Sequence, residues 1–475
     1  MDDAAPPPLD EVARLIGPAH VLRGEAAARW SGDWAGHRRW QPLAVARPAD
    51  TGEVAALVRL ANRHRTPLVP VSGNTNLVKG TAAQGALMLS LDRLSEIREI
   101  RPAAQVAAVG AGVVIETLNA ALAAHDLMFP LSFGARGSAM VGGVLSTNAG
   151  GANVLRHGNT RDLCLGIEAV TPTGEVMNLM GALHKNNSGY DLRHLLIGAE
   201  GTLGIITGAM LRLVPRPRAQ ATAMVALPSL DAALDLLNRL QDETGGAVEA
   251  FEYMPESFLR ALLQRFPEMR APFGTMHAVN VLVELGARAP RDVTPDAAGQ
   301  VPLAAHLEAV LADAWEAGQV VDAVVAQSEA QRAEMWARRE ASAHVLRARS
   351  PVVEGDIAVA IDRVATLVAR TEAACRALDP EIEITGVAHL GDGNLHFVGW
   401  PSRPDAALCA ELSRAVETEA VALGGSFSAE HGIGLSKLGA MTAYKDPVAL
   451  ETMRAIKAAL DPRGILNPGK LLPGG

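Results

Sequence analysis

A chain of 475 residues is long enough for two or three domains with sizeable hydrophobic cores. Its 49% hydrophobic and 20% charged residues are ordinary globular values, and a net charge of −9 leaves no basic footprint for nucleic acid, so any anionic substrate needs a local site. The three cysteines, Cys164, Cys375 and Cys409, are scattered, which excludes a disulfide framework and an iron–sulfur cluster ligated at ferredoxin spacing by this chain alone.

In chain order, residues 1–8 are acidic and proline-rich, unlike a signal or transit peptide. No apolar run reaches membrane-spanning length, and the chain reads as a cytoplasmic protein. Residues 9–40 read as helix and then loop, with Trp30, Trp34 and Trp40 spaced through the loop. A βαβ rhythm follows: a strand at 43–46, a helix at 51–65 with Thr51 as cap and Glu53 in its first turn, and a strand at 67–71. That strand runs into Ser72-Gly73-Asn74-Thr75-Asn76-Leu77-Val78-Lys79-Gly80, a loop type able to turn several backbone N–H groups toward one anion. Gly110 and Gly112 imitate the start of a nicotinamide-binding turn, but position 115 is isoleucine and no suitable βαβ unit follows. A tight turn before a helix at 116–124 is expected there instead.

A second loop holds Gly134, Gly137, Gly142, Gly143, Gly150 and Gly151 among Ser138, Ser146, Thr147 and Asn148. So many glycines carry a heavy entropic cost, commonly accepted where backbone must approach something bulky. A third cluster, Gly198, Gly201 and Gly204, leads into a strand ending near Val214, and Pro215-Arg216-Pro217-Arg218 marks a domain boundary. From 219 to 385 the pattern becomes that of a separate α+β domain, with helices at 231–240 and 303–317 and a strand at 278–284. A helix at 405–423 takes Asp405 as its cap, and 461–470 is too turn-rich for one helix.

The densest chemistry lies in His389-Leu390-Gly391-Asp392-Gly393-Asn394-Leu395-His396, followed by Glu430-His431. Asp392-Gly393 reads as a two-residue hairpin turn, which sets His389 opposite His396 with Cβ atoms ~5 Å apart. Such a pair forms a clamp for Zn²⁺ or Mn²⁺, with Glu430 as third ligand and His431 as candidate base. It also reads as two hairpin histidines with no metal, and the glycine loops upstream favour the metal.

Taken together, these segments resemble the FAD-linked oxidases of the vanillyl-alcohol oxidase type, over about residues 33–472. The loop Pro70 to Gly80 resembles their pyrophosphate loop, Gly134 to Gly151 their flavin-ring loop, and Lys185 to Thr207 their third flavin segment. The histidine hairpin, Ala429-Glu430-His431-Gly432 and Asn467-Pro468-Gly469-Lys470 resemble the D-2-hydroxyacid dehydrogenase branch. The resemblance implies an α+β fold, with a two-lobed FAD-binding domain, a cap domain for substrate and a C-terminal segment returning to the flavin. The corresponding boundaries are 1–41, 42–217, 218–423 and 424–475.

It further implies FAD contacts at Pro70, Ser72, Gly73, Asn74, Thr75, Asn76, Leu77, Gly134, Ser138, Gly142, Gly143, Ser146, Asn148, Gly150, Gly151, Gly201, Gly204, Ile206 and Asn467. The first loop has no His or Cys, and His157 lies beyond the second, so the FAD is expected to be non-covalent. Metal ligands are expected at His389, His396 and Glu430, with zinc favoured, a base at His431, and substrate contacts at Arg339 and Asn394, the latter also a plausible turn residue. The implied reaction is oxidation of a D-2-hydroxy acid, D-2-hydroxyglutarate or D-lactate first, with D-malate and more apolar acids as alternatives. Electrons then pass to a separate acceptor: an electron-transfer flavoprotein, a quinone or a cytochrome. A homodimer is compatible with the reading. Two departures concern substrate. Glu354 stands where hydroxyglutarate enzymes typically carry lysine, and Val398 where they usually carry asparagine. A non-catalytic FAD subunit of a respiratory complex is the competing reading, and the joint presence of His389, His396, Glu430 and His431 opposes it.

Overall fold

The computed structural model describes residues 9–34, 36, 39–297 and 299–474; the proline-rich opening at 1–8 lies outside the described residues. The chain divides into two compact units. The first comprises Met1–Gly150, Gly158–Pro215 and Glu430–Gly475, and the second Gly151–His157 and Arg216–Ala429.

Unit 1 contains two main sheets. The first has strands β1 (Val21–Leu22), β2 (Ala44–Ala46), β3 (Leu68–Val71) and β4 (Leu87–Ser90) in the order β1-β2-β4-β3. β4 is parallel to both β2 and β3, and helix Thr51–His64 links β2 to β3. The helix is capped by Asp50, not Thr51: the Asp50 carboxylate accepts from the Glu53 N–H at 2.9 Å, and the Glu53 carboxylate accepts from the Ala49 N–H at 2.6 Å. Thr51 turns its hydroxyl to Glu168 instead (2.7 Å). The apolar stripe Val54, Leu57, Val58 and Ala61 packs with Leu68, Leu87 and Leu89, at roughly 1.5–3 kcal/mol per large aliphatic side chain buried.

The second sheet is antiparallel: β5 (Ile97–Arg101), β6 (Val106–Gly110), β8 (Cys164–Val170), β9 (Val176–Leu179) and β10 (Ile205–Arg212), in the order β5-β6-β10-β8-β9. The short strands β7 (Leu127–Met128) and β11 (Val214–Pro215) pair beside it. A Cβ at Gly110 or Gly112 would lie 2.1 or 2.2 Å from the carbonyl oxygens of Leu94 and Leu91. Close backbone packing before helix Ile115–Ala123 therefore accounts for these two glycines.

Unit 2 is built on a seven-stranded antiparallel sheet. Its strands are β12 (Ala219–Leu227), β13 (Val248–Pro255), β14 (Val279–Ala287), β15 (Asp322–Val325), β16 (Val353–Ala358), β17 (Glu383–His389) and β18 (Asn394–Trp400). They run in the order β15-β12-β14-β13-β17-β18-β16. Side chains alternate between faces. Phe251, Val283 and Phe397 join Leu236, Leu307, Leu367 and Leu412 in one core, while Met224, Met254 and Leu282 join Phe258, Met335 and Trp400 in another.

The hairpin register differs from the expected one. β17 and β18 are joined by a four-residue loop, so His389 opposes Asn394 and His396 opposes Val387. The slip is two residues, and because side chains alternate with period two, both histidines remain on one face as diagonal neighbours. Their ring centroids are 5.2 Å apart at 81°.

Candidate active site

Unit 1 brings its glycine loops into one cradle. Gly73 lacks a Cβ that would sit 2.2 Å from the Ser138 carbonyl oxygen, so the first and second loops meet backbone to backbone. The first loop is held open by its own side chains. Asn76 Oδ1 accepts from the Gly80 N–H (2.8 Å), and Thr81 bridges Asn74 and Asn76 (2.7 and 2.8 Å). Among the described residues, no acceptor meets the backbone N–H groups of Gly73, Asn74, Thr75, Asn76 and Leu77. Successive backbone N–H groups left without an acceptor in a partly buried loop are suited to an anion.

The other expected contacts are placed as follows. Gly142 and Gly143 lie in helix Val141–Thr147, where a Cβ would stand 3.2 and 3.4 Å from Ser72. Ser146 bonds the Gly142 carbonyl, and Asn148 ends the helix in a left-handed conformation and accepts from the Arg161 N–H. Gly134 faces open space, and Gly150 closes the first piece of unit 1. Gly151 begins the short segment that belongs to unit 2. Gly201 has φ +71°, and its missing Cβ would meet Pro70 at 2.5 Å; Gly204 packs on Leu196 and Ile206 is in β10. Asn467 is 2% exposed and donates to the Gly80 and Glu200 carbonyls (3.1 and 2.7 Å), while its Oδ1 is buried without a partner. Unpaired donors beside an unpaired acceptor, in a glycine-lined cradle, fit the pyrophosphate and polar edges of a dinucleotide cofactor such as FAD.

Unit 2 supplies a polar row on the sheet face beneath helix Glu329–Glu340. Glu252 of β13 pairs with His389 of β17, and Asp356 of β16 with His396 of β18. Glu252 is 1% exposed; its carboxylate lies 2.8 Å from His389 Nδ1 and accepts from Arg339 Nε at 2.7 Å. Burial alone would push its pKa up, but His389 and Arg339 outweigh it and hold the carboxyl below its ordinary value. Arg339, in the last turn of its helix, is 8% exposed, donates from Nη1 to Ser342 (3.2 Å), and leaves Nη2 buried without an acceptor. An unmet buried donor costs about 1–3 kcal/mol, which a bound carboxylate relieves.

His396 Nδ1 stands 3.8 Å from Asp356 Oδ1. Asn394 is not in the turn: it begins β18, and its amide donates to Asp356 Oδ1 and the Ile357 carbonyl, both at 3.1 Å. Nδ1 of His389 and of His396 thus each lies toward a carboxylate, and in metal-bound histidine the nitrogen across the ring from such a carboxylate is commonly the ligand. The Ala429 N–H donates to the Asp356 carbonyl (3.1 Å), and the chain continues from there into Glu430 and His431, whose side chains lie 3.6 Å apart. In unit 1, Glu200 holds the turn that follows by accepting from the Ile433 and Gly434 N–H groups (2.7 and 2.9 Å).

Glu354 shares the Asp356 face, opposite Val398, and accepts from Arg347 Nε at 2.7 Å. The sequence reading missed Glu252 and the part played by Asp356. A signal existed: Glu249 and Glu252 interrupt the apolar run 248–254, and a charge in a buried strand needs a partner. Glu249 is met by Arg156 (2.5 Å) and His157 (3.1 Å).

Comparison with known proteins agrees with this geometry. Residues 42–180 match the FAD binding domain family and residues 216–471 the C-terminal domain of FAD linked oxidases. A D-2-hydroxyglutarate dehydrogenase of Xanthomonas citri pv. viticola is 37% identical over 96% of this chain and 94% of its own length. One from Stutzerimonas stutzeri is 34% identical over 98% of each, and the mitochondrial enzyme of Bos taurus 33% identical over 93% of this chain and 79% of its own. In fold, the chain resembles p-cresol methylhydroxylase (TM-score 0.75, 16% identity, 98% of this chain and 96% of the other). It also resembles 4-ethylphenol oxidase of Gulosibacter chungangensis (TM-score 0.72, 20% identity, 98% and 97%). The chain is thus an FAD-dependent enzyme that belongs to the FAD-linked oxidases, in the branch of the D-2-hydroxyglutarate dehydrogenases.

Proposed function

We propose that the protein oxidises a D-2-hydroxy acid to the 2-oxo acid, with FAD held non-covalently by the loops of unit 1 and a divalent ion, zinc first, held by His389, His396 and Glu430. The observation that carries the reading is the row Glu252, His389, His396 and Asp356, its two carboxylates buried and its two histidines partly buried, with Arg339 bonded to Glu252 and its Nη2 without an acceptor. The names of the relatives support the same substrate class.

Bound FAD supplies a two-electron acceptor for the hydride from C2. The ion supplies a Lewis acid for the substrate hydroxyl. The chain's own groups do the rest. Arg339 grips the substrate carboxylate, and Glu252 keeps that guanidinium fixed and His389 in the tautomer that presents Nε2. His431 takes the hydroxyl proton. Two observations favour non-covalent FAD. His157 is engaged by Glu249, and burial pushes the Cys164 thiol up to about 12, too high for a nucleophile. The electrons then leave to a separate acceptor, an electron-transfer flavoprotein, a quinone or a cytochrome.

Substrate choice within the class rests on Glu354, whose charge is paired with Arg347 and faced by Val398. D-2-hydroxyglutarate and D-lactate are the first pair to compare. The test is anaerobic mixing of FAD-loaded, metal-replete protein with D- and L-2-hydroxy acids while following the flavin visible band. D-acids bleach it, L-acids do not, and chelator prevents bleaching without releasing FAD. A flavin left oxidised by every D-acid overturns the proposal.

A further inference from the structure

Lys470 is 7% exposed, and its ammonium has no hydrogen-bond or ion-pair partner among the described residues. With no carboxylate beside it to offset the loss of water, burial of the side chain lowers its pKa to about 8. Lys457 shows the usual alternative: partly buried, it bonds Asp461 (2.5 Å) and the carbonyls of Thr202 and Leu466 (2.7 and 2.9 Å).

The backbone around Lys470 is fixed in place. The Asn467 N–H donates to Leu68 (2.7 Å), at the start of β3, and its side-chain amide to Gly80, at the end of the first loop. The Leu471 N–H donates to the Gly434 carbonyl (3.1 Å), and Gly434 lies so close to Val78 that a Cβ would stand 2.1 Å from its carbonyl oxygen. Asn467 and Leu471 both hold positive φ, 42° and 67°, a strain tolerated where the surroundings demand it. The segment carrying Lys470 is therefore stitched at both ends to the loop whose five N–H groups have no acceptor.

We propose that Lys470 is a cofactor-binding cation, its ammonium facing an anionic group of FAD, either the pyrophosphate or the N1–C2 carbonyl edge that becomes anionic on reduction. The inference rests on FAD occupying the loops of unit 1. A colourless parent that takes up no FAD would fail that reading, whereas a yellow parent with silent Lys470 variants would fail only this one.

The experiment compares K470M and K470R with the parent in two measurements. The affinity of apoprotein for ADP reads the pyrophosphate arm. The two-electron midpoint potential of bound FAD reads the ring arm. One of the two moves in K470M: ADP affinity falls about tenfold, or the potential falls by about 30 mV, the same factor for a two-electron couple. K470R retains the parent value, because it keeps the charge. If K470M does not fold, K470Q takes its place, checked by circular dichroism. Unchanged ADP affinity together with an unchanged potential overturns the proposal.

Discussion

Glu252 holds two partners on one carboxylate, His389 on one oxygen and Arg339 on the other. E252Q removes a buried charge facing a buried guanidinium, and breaking such a pair costs about 3–5 kcal/mol. A lower urea midpoint at pH 7 checks this. The pH dependence follows from sign. The folded carboxyl lies below its ordinary 4.5, so its stabilisation is complete above that value and is lost as pH falls through the lowered one. The parent therefore loses stability in acid below 4.5 more steeply than E252Q; equal slopes would show that Glu252 is not ionised in the fold. R339A should raise KM for D-2-hydroxy acids by about tenfold or more, with poor rescue by R339K, since lysine lacks the planar fork. Glu354 tests specificity. E354K adds a cation to the Asp356 face and should move the kcat/KM ratio of D-2-hydroxyglutarate over D-lactate upward by about tenfold. A ratio that stays put would show that Glu354 does not face substrate.

At the scale of elements, the hairpin is the instructive case. Asp392-Gly393 has the residues of a two-residue turn, yet the loop has four, and Gly393 (φ +82°) lies so close to Val359 that a Cβ would be 2.0 Å from its carbonyl oxygen. Register is set by neighbours no local rule contains: β13 fixes His389 against Glu252, and β16 fixes His396 against Asp356. The histidines come together all the same, because a two-residue slip preserves the face. H389A and H396A should therefore abolish most turnover and bound metal while keeping FAD, measured by metal analysis and the visible spectrum on one sample. Full metal content in an H389A/H396A double variant would remove the hairpin from the site. The glycine loops call for a different change. G201V puts a β-branched side chain at φ +71° against Pro70 and should yield protein that retains no FAD after gel filtration. A yellow G201V protein would show that the cradle tolerates the clash.

For the whole molecule, unit 1 carries the glycine loops together with Glu430 and His431, and unit 2 carries the Glu252–Asp356 row. FAD added to apoprotein should raise the unfolding midpoint, since a ligand at a thousandfold excess over Kd contributes about 4 kcal/mol. A midpoint indifferent to FAD would contradict binding to the native state. The βαβ start, the glycine loops and the two-histidine hairpin are legible in the sequence, because turn residues, caps and side-chain period act over a few neighbours. That range is enough to place Asp405 as a helix cap, where the Ala407 and Leu408 N–H groups reach its carboxylate. Thr51 against Asp50 shows the limit of that range, since either residue satisfies the local rule and the hydroxyl of Thr51 was drawn to Glu168, 117 residues away. It takes the folded chain to place Glu252 under both Arg339 and His389, Asp356 behind His396, and the Lys470 side chain in a buried position with no counter-charge. These are pairings across strands and loops far apart in sequence, and the low-dielectric interior that makes them matter exists only once the chain has folded.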